Sequence, residues 1–154
     1  MRRARLHPRS RLKAIAFAVA MQFGVIGTEA VEAKQAPMPQ RAARKVAIDA
    51  VREASLRFAI PEQWIWSVIR AESAGQTDAV SRAGAMGLMQ LMPVTYAELR
   101  GQFGLGADPF RVRDNIRAGT AYLRAMYDRY GHPGMFGAYN AGPGRWEQHL
   151  SGTR

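Results

Sequence analysis

An all-α fold is what this sequence predicts, and three observations carry the prediction. Apolar residues recur at three- and four-residue spacing in several stretches of the 154 residues, and no run alternates apolar with polar residues long enough for a strand. The stretches are parted by short breaks built on glycine and proline, as between packed helices. Cysteine is absent, so the core must hold by packing alone, which a domain of about 120 residues can manage.

The first third of the chain carries targeting features. Arg2, Arg3, Arg5, Arg9, Arg11 and Lys13 form a basic front, and the apolar run Ala14 to Gly27 follows. Val31 and Ala33 then stand at the −3 and −1 positions of a signal-peptidase site. The apolar run is shorter than the roughly 20 residues that span a bilayer. Residues 1–33 therefore read as a cleaved signal peptide rather than an anchor, and the expected location is the periplasm and cell envelope. Cleavage removes six of the 22 basic and two of the 12 acidic residues, leaving a net charge of +6. The remaining basic residues are scattered, with no run that would track a phosphate backbone, so no nucleic-acid partner is expected. A polyanionic wall polymer is the more natural attractor.

Lys34 to Gln40 is a short linker bearing two prolines. Arg41 to Phe58 is rich in alanine and charge, with Val46, Ala50 and Leu56 as a rough helical stripe. Pro61 suits the first turn of a second helix running to about Glu72. Ala74 to Gly87 contains three glycines and reads as a loop. Pro93 opens a third helix, to about Phe103, before Gly104, Gly106 and Asp108-Pro109 break the chain. The longest helix runs from about Val112 to Tyr130 along Ile116, Thr120, Leu123, Tyr127 and Tyr130. Gly119 on that face would let another helix approach closely. Gly131 to Gly134 reads as a turn, Met135 to Asn140 as a short helix, and Gly144 to Leu150 as a last one.

Glu72 stands apart within this pattern. In EQWIWSVIRAES, Ile65, Val68 and Ile69 mark an apolar stripe, and Glu72 continues it. Burial raises a carboxyl pKa, and the helix C-terminus expected at Gly75 adds the repulsive end of the helix dipole. A carboxyl still protonated near neutral pH can serve as a general acid for glycosidic-bond cleavage. The same spacing equally suits a structural acid paired with an arginine. Metal chemistry finds no ligand spacing, since His132 and His149 stand apart. No cofactor is expected.

Four separated segments extend the reading: AES (Ala71 to Ser73), AVSRAGAMGLMQLMP (Ala79 to Pro93), NIRAGTAYL (Asn115 to Leu123) and AYNAGPGR (Ala138 to Arg145). In this order they resemble the lytic transglycosylases of the soluble type, the SLT domain of the lysozyme-like superfamily, over about Phe58 to Trp146. The resemblance implies a lysozyme-like helical domain over residues 41–154, after the signal peptide 1–33 and the linker 34–40. It also implies cleavage of the β-1,4 bond between N-acetylmuramic acid and N-acetylglucosamine in peptidoglycan. The muramoyl 6-hydroxyl would serve as nucleophile and leave a 1,6-anhydro ring. Most glycosidases need two carboxylates; with this nucleophile one can suffice.

Residue by residue, Glu72 matches the family's catalytic acid. Ser81 matches a serine that hydrogen-bonds near the acid and substrate, although alone it reads as a turn hydroxyl. Gly84 and Gly87 would permit positive φ and close approach of backbone to a sugar. Gln90 and Met92 match substrate-cleft residues, and Tyr139 matches a tyrosine whose hydroxyl approaches the acid. Asn140 completes the substrate-binding set, although by itself it reads as a helix C-terminal residue. The NIRAGTAYL segment reads as a packing helix. Family members usually carry a further helix beyond AYNAGPGR, so the domain is expected to be C-terminally short. The expected partner is the glycan strand, met by a monomer, with a secretion or conjugation apparatus as a further candidate partner. Two rivals stand beside this reading: a lysozyme-like hydrolase using water, and a non-catalytic wall-binding module of such an apparatus.

Overall fold

The computed structural model describes residues 40–152, so the expected signal peptide and almost all of the linker lie outside the described residues. Gln40, assigned to the linker, is the first residue of a helix. Five helices follow in order: α1 Gln40–Phe58, α2 Glu62–Ser73, α3 Pro93–Phe103, α4 Val112–Ala141 and α5 Pro143–Leu150. The described residues contain no strand, in agreement with the all-α expectation.

α4 is the central element: α1, α3 and α5 all pack on it, and α1 also packs on α2. The main core joins Ala47, Ala50, Val51 and Ala54 of α1 with Ile65, Val68 and Ile69 of α2. Leu88 and Met89 from the long loop, Ile116 and Leu123 from α4, and Met135 and Ala138 beyond its bend complete it. Full burial of such a side chain contributes about 1.5–3 kcal/mol. A second, smaller core of Leu91, Tyr96, Leu105 and Ala118 fixes α3 against α4.

The α1 stripe differs from expectation. The buried face runs through positions 47, 50, 51 and 54, whereas Leu56 is 80% exposed. Nine residues at 100° each place Leu56 half a turn from Ala47. In this helix three alanines and Val51, not Leu56, mark the inside.

Two glycines decide how α4 is built. At Gly131 the backbone turns out of the helix with φ 64°, a left-handed value that glycine adopts without strain, and the helix resumes beyond His132. The bend lies where the sequence places a turn. At Gly119 a Cβ would fall 2.4 Å from Met89 Sδ and 2.6 Å from Met89 Cβ. The close approach anticipated there is real, but the neighbour is a loop methionine instead of a second helix.

Candidate active site

α2 carries Glu72 at its C-terminal end, half-buried. Burial raises its carboxyl above the ordinary value, opposed by a side-chain hydrogen bond from Asn140. These causes answer the alternative left open by spacing: burial and an amide, not a guanidinium, set this acid's titration. The helix closes over two residues at positive φ, the expected Gly75 (φ 83°) and Ala74 before it. Ala74 takes the left-handed position (φ 52°, ψ 24°), its N–H bonded to Arg70 O at 3.2 Å. Ser73 makes this possible: its buried hydroxyl donates towards Ile69 O (3.1 Å) and Leu88 O (2.8 Å) and accepts from Gly75 N (3.2 Å). These bonds offset the cost of a left-handed alanine, about 1–2 kcal/mol.

The segment after α2 folds back on itself. Val80 bridges Met86, and Met86 bridges Leu91, so three short antiparallel pieces lie side by side. Ser81 is half-buried and works inside this loop, its Oγ accepting from Ala85 N at 3.0 Å. Gln90 adopts φ 48° and spends its amide group on Ala79 O (3.0 Å) and Gly87 O (2.9 Å). Its carbonyl oxygen is the group left to address a ligand. Gly84 and Gly87 take positive φ as expected, but Gly87 packs on Asn115, where a Cβ would fall 2.5 Å from Nδ2. Met92 is 44% exposed at the N-terminus of α3, so it is no core residue.

The second half of α4 brings Tyr139 and Asn140 to the same place. Tyr139 is buried and donates its hydroxyl proton to Met89 O at 2.8 Å. Burial, and after it the charge of Glu72, pushes its hydroxyl well above the usual tyrosine range. The tyrosine therefore stands near the acid, while the hydrogen bond to the acid comes from Asn140. Sequence reasoning missed two members of this assembly. Ser73 was passed over beside a more conspicuous neighbour, and Asn115 was read as part of a packing helix. Asn115 is fully buried and accepts from Met89 N (2.8 Å) while donating to Met86 O (3.0 Å) and Pro109 O (2.8 Å). The available signal was a polar residue sharing an α4 face with Ala118 and Gly119, the same logic that singled out Glu72.

Most of the other described acids have partners of their own. Asp49 pairs with Lys45 at 2.8 Å, Asp108 accepts from Phe110 N at 2.8 Å, Asp114 takes Gly106 N and Arg111, Asp128 pairs with Arg124 at 2.7 Å, Glu147 accepts from Tyr130 at 2.9 Å, and Glu53 pairs with Arg113. Glu62, Asp78 and Glu98 are exposed. A depression of about 760 Å³ lies between α1 and α2, lined by Ile48, Trp66, Ile69, Gln76 and Asp78 among others; Glu72 does not line it. Among the described residues no group of three histidine, cysteine or acidic side chains could hold a metal ion.

A small helical domain with one acid at a helix end, faced by a pinned loop and an asparagine, defines the lysozyme-like class. Solved structures agree. The lytic transglycosylase Slt of Pseudomonas aeruginosa, in an inactive glutamate-to-glutamine mutant form, superposes with a TM-score of 0.62 at 37% identity, over 77% of this chain and 19% of that one. A 70-kDa soluble lytic transglycosylase in complex with bulgecin A gives 0.62 at 31% identity, over 68% and 18%. Among curated relatives, the soluble lytic murein transglycosylase of Escherichia coli K12 is 39% identical over 93 residues, 56% of this chain and 14% of the relative. The membrane-bound lytic murein transglycosylase C of Mannheimia succiniciproducens is 36% identical over 109 residues, 61% and 30%. Residues 49–154 match the transglycosylase SLT domain, and the chain belongs to that family. It spans less than a third of the length of these relatives.

Proposed function

We propose that this domain cleaves peptidoglycan as a lytic transglycosylase, with Glu72 as its single acid–base catalyst. The observation that carries the reading is Glu72 itself: a half-buried carboxyl raised by burial and held by Asn140. As general acid it protonates the glycosidic oxygen that leaves with N-acetylglucosamine. The resulting carboxylate then takes the proton of the muramoyl 6-hydroxyl as that oxygen closes on C1. Atoms balance without water, and no second carboxylate is required. The position of the other described acids, exposed or paired, supports this reading over hydrolysis. Gln90, Met92 and Asn140 are the residues proposed to meet the sugar, with Ser81 and Tyr139 shaping the loop beneath it. The printed names of the relatives, murein transglycosylases soluble and membrane-bound, support the substrate class. The basic front and apolar run of residues 1–33 support export to the periplasm, where a mature N-terminus near Lys34 is expected.

Digestion of purified sacculi tests the reading. The protein should release muropeptides with 1,6-anhydromuramoyl ends, one water lighter than a hydrolase product. Glu72→Gln keeps shape but can neither give nor take the proton, and loss of general acid–base action commonly costs about 10²–10⁴ in rate. With no second acid in reserve, clearing should fall to near the blank. Reducing ends would make the protein a hydrolase, and undiminished clearing by the variant would refute the assignment of Glu72.

A further inference from the structure

The Gly84–Leu91 loop is gripped on both sides of one residue, Met89, through two successive peptide units. Met89 N–H donates to Asn115 Oδ1, and Met89 C=O accepts the Tyr139 hydroxyl, both at 2.8 Å. The two clamps come from opposite sides of the Gly131 break in α4. The Met89 side chain is sealed against Gly119 from a third direction. Asn115 cannot reach a sugar, because it is fully buried and both its amide protons are spent on Met86 O and Pro109 O. The single proton of Tyr139 is likewise committed. Neither side chain is placed to work on substrate directly, yet both grip the loop that carries Gln90, and Tyr139 sits one residue before Asn140.

We propose that Asn115 and Tyr139 are paired positioning residues that act through the backbone of Met89, holding the Gly84–Leu91 loop against Glu72 and Asn140, and that Tyr139 takes no part in proton transfer. The proposal rests on the transglycosylase reading of Glu72. Removing either clamp frees one of the two peptide units that flank Met89, and the loop relaxes away from the acid. A misplacement of about 1 Å can cost on the order of 100-fold in rate. Because both residues hold the backbone of the same residue, in adjoining peptide units, their effects should be coupled rather than additive. The groups facing Tyr139 are Glu72 and Tyr122, whose ring lies 5.2 Å away edge to face. The causes that move the Glu72 carboxyl, in contrast, are burial and Asn140.

The test compares Asn115→Ala, Tyr139→Phe and the double variant on purified sacculi, alongside hydrogen exchange at the Met89 amide. Each single variant should lose about 10- to 100-fold in kcat, and the double should be little worse than the poorer single. Exchange at Met89 should quicken in each, and the alkaline limb of the rate profile should stay in place for Tyr139→Phe. Multiplied losses in the double variant, or unchanged exchange, would overturn the clamp. A displaced alkaline limb in Tyr139→Phe would mean that the tyrosine acts on the acid itself. Should Asn115→Ala fail to fold, Tyr139→Phe decides alone through exchange and rate profile, since it keeps the ring that packs on Tyr122. Activity persisting in Glu72→Gln would sink the transglycosylase reading, whereas exchange at Met89 would still decide the clamp.

Discussion

Adding one methyl group at Gly119 or at Gly101 should move stability in opposite directions. Both glycines lie inside helices, and glycine there is about 0.5–1 kcal/mol less favourable than alanine. At Gly101, on exposed α3, a Cβ meets nothing within 4 Å, so Gly101→Ala should stabilise by about that amount. At Gly119 the same Cβ falls 2.6 Å from Met89 Cβ and 2.4 Å from its Sδ. The sulfur could swing aside, but the Cβ is fixed by a backbone clamped on both sides by Asn115 and Tyr139. Overpacking of this kind costs about 1–3 kcal/mol. Against the helix gain, the net expectation is a loss of up to about 2.5 kcal/mol. For a folded unit of this size, between the small and large domain ranges, each kcal/mol lowers Tm by about 4 °C. Urea and thermal denaturation followed by circular dichroism read both variants against the parent. If Gly119→Ala is as stable as Gly101→Ala, Met89 is not held as described, and the clamp argument loses its footing.

Other outcomes follow from the same geometry. Asn140→Ala removes the bond that lowers the Glu72 carboxyl, leaving burial unopposed; because the acid must be protonated to act, the alkaline limb of kcat/KM should move to higher pH. A limb that stays put or moves down would show that Asn140 does not touch the acid. The raised carboxyl also makes Glu72 destabilising once ionised, so the stability advantage of Glu72→Gln should be present at neutral pH and vanish below the unfolded carboxyl range. Denaturation midpoints at two pH values test the sign. Leu56→Gln should change stability by no more than about 0.5 kcal/mol, whereas Ile65→Ala in the main core should cost about 2–5 kcal/mol.

What the sequence determined by itself is the order and extent of the helices and the placement of a half-buried carboxyl, Glu72, at the end of α2. α2, α3 and α5 begin or end within a residue or two of their expected bounds, because proline and glycine act locally and need no tertiary partner. Glu72 was legible for a related reason: a carboxyl on an apolar stripe is an anomaly in one dimension, whatever packs on it. Leu56 shows where such reading stops. Helical spacing says which residues share a face, but not which face is covered when the covered one is lined with alanine. Only the tertiary structure decided that Ala74 joins Gly75 at positive φ in closing α2, because the stabilising hydroxyl of Ser73 reaches a carbonyl fifteen residues away. Only the tertiary structure divided the work between Tyr139 and Asn140, adjacent in sequence and turned to different partners. The same holds for Asn115, whose partners Met86 and Met89 lie 29 and 26 residues distant. Backbone groups carry no sequence signature, so a side chain whose partners are distant peptide units remains invisible until the chain is folded.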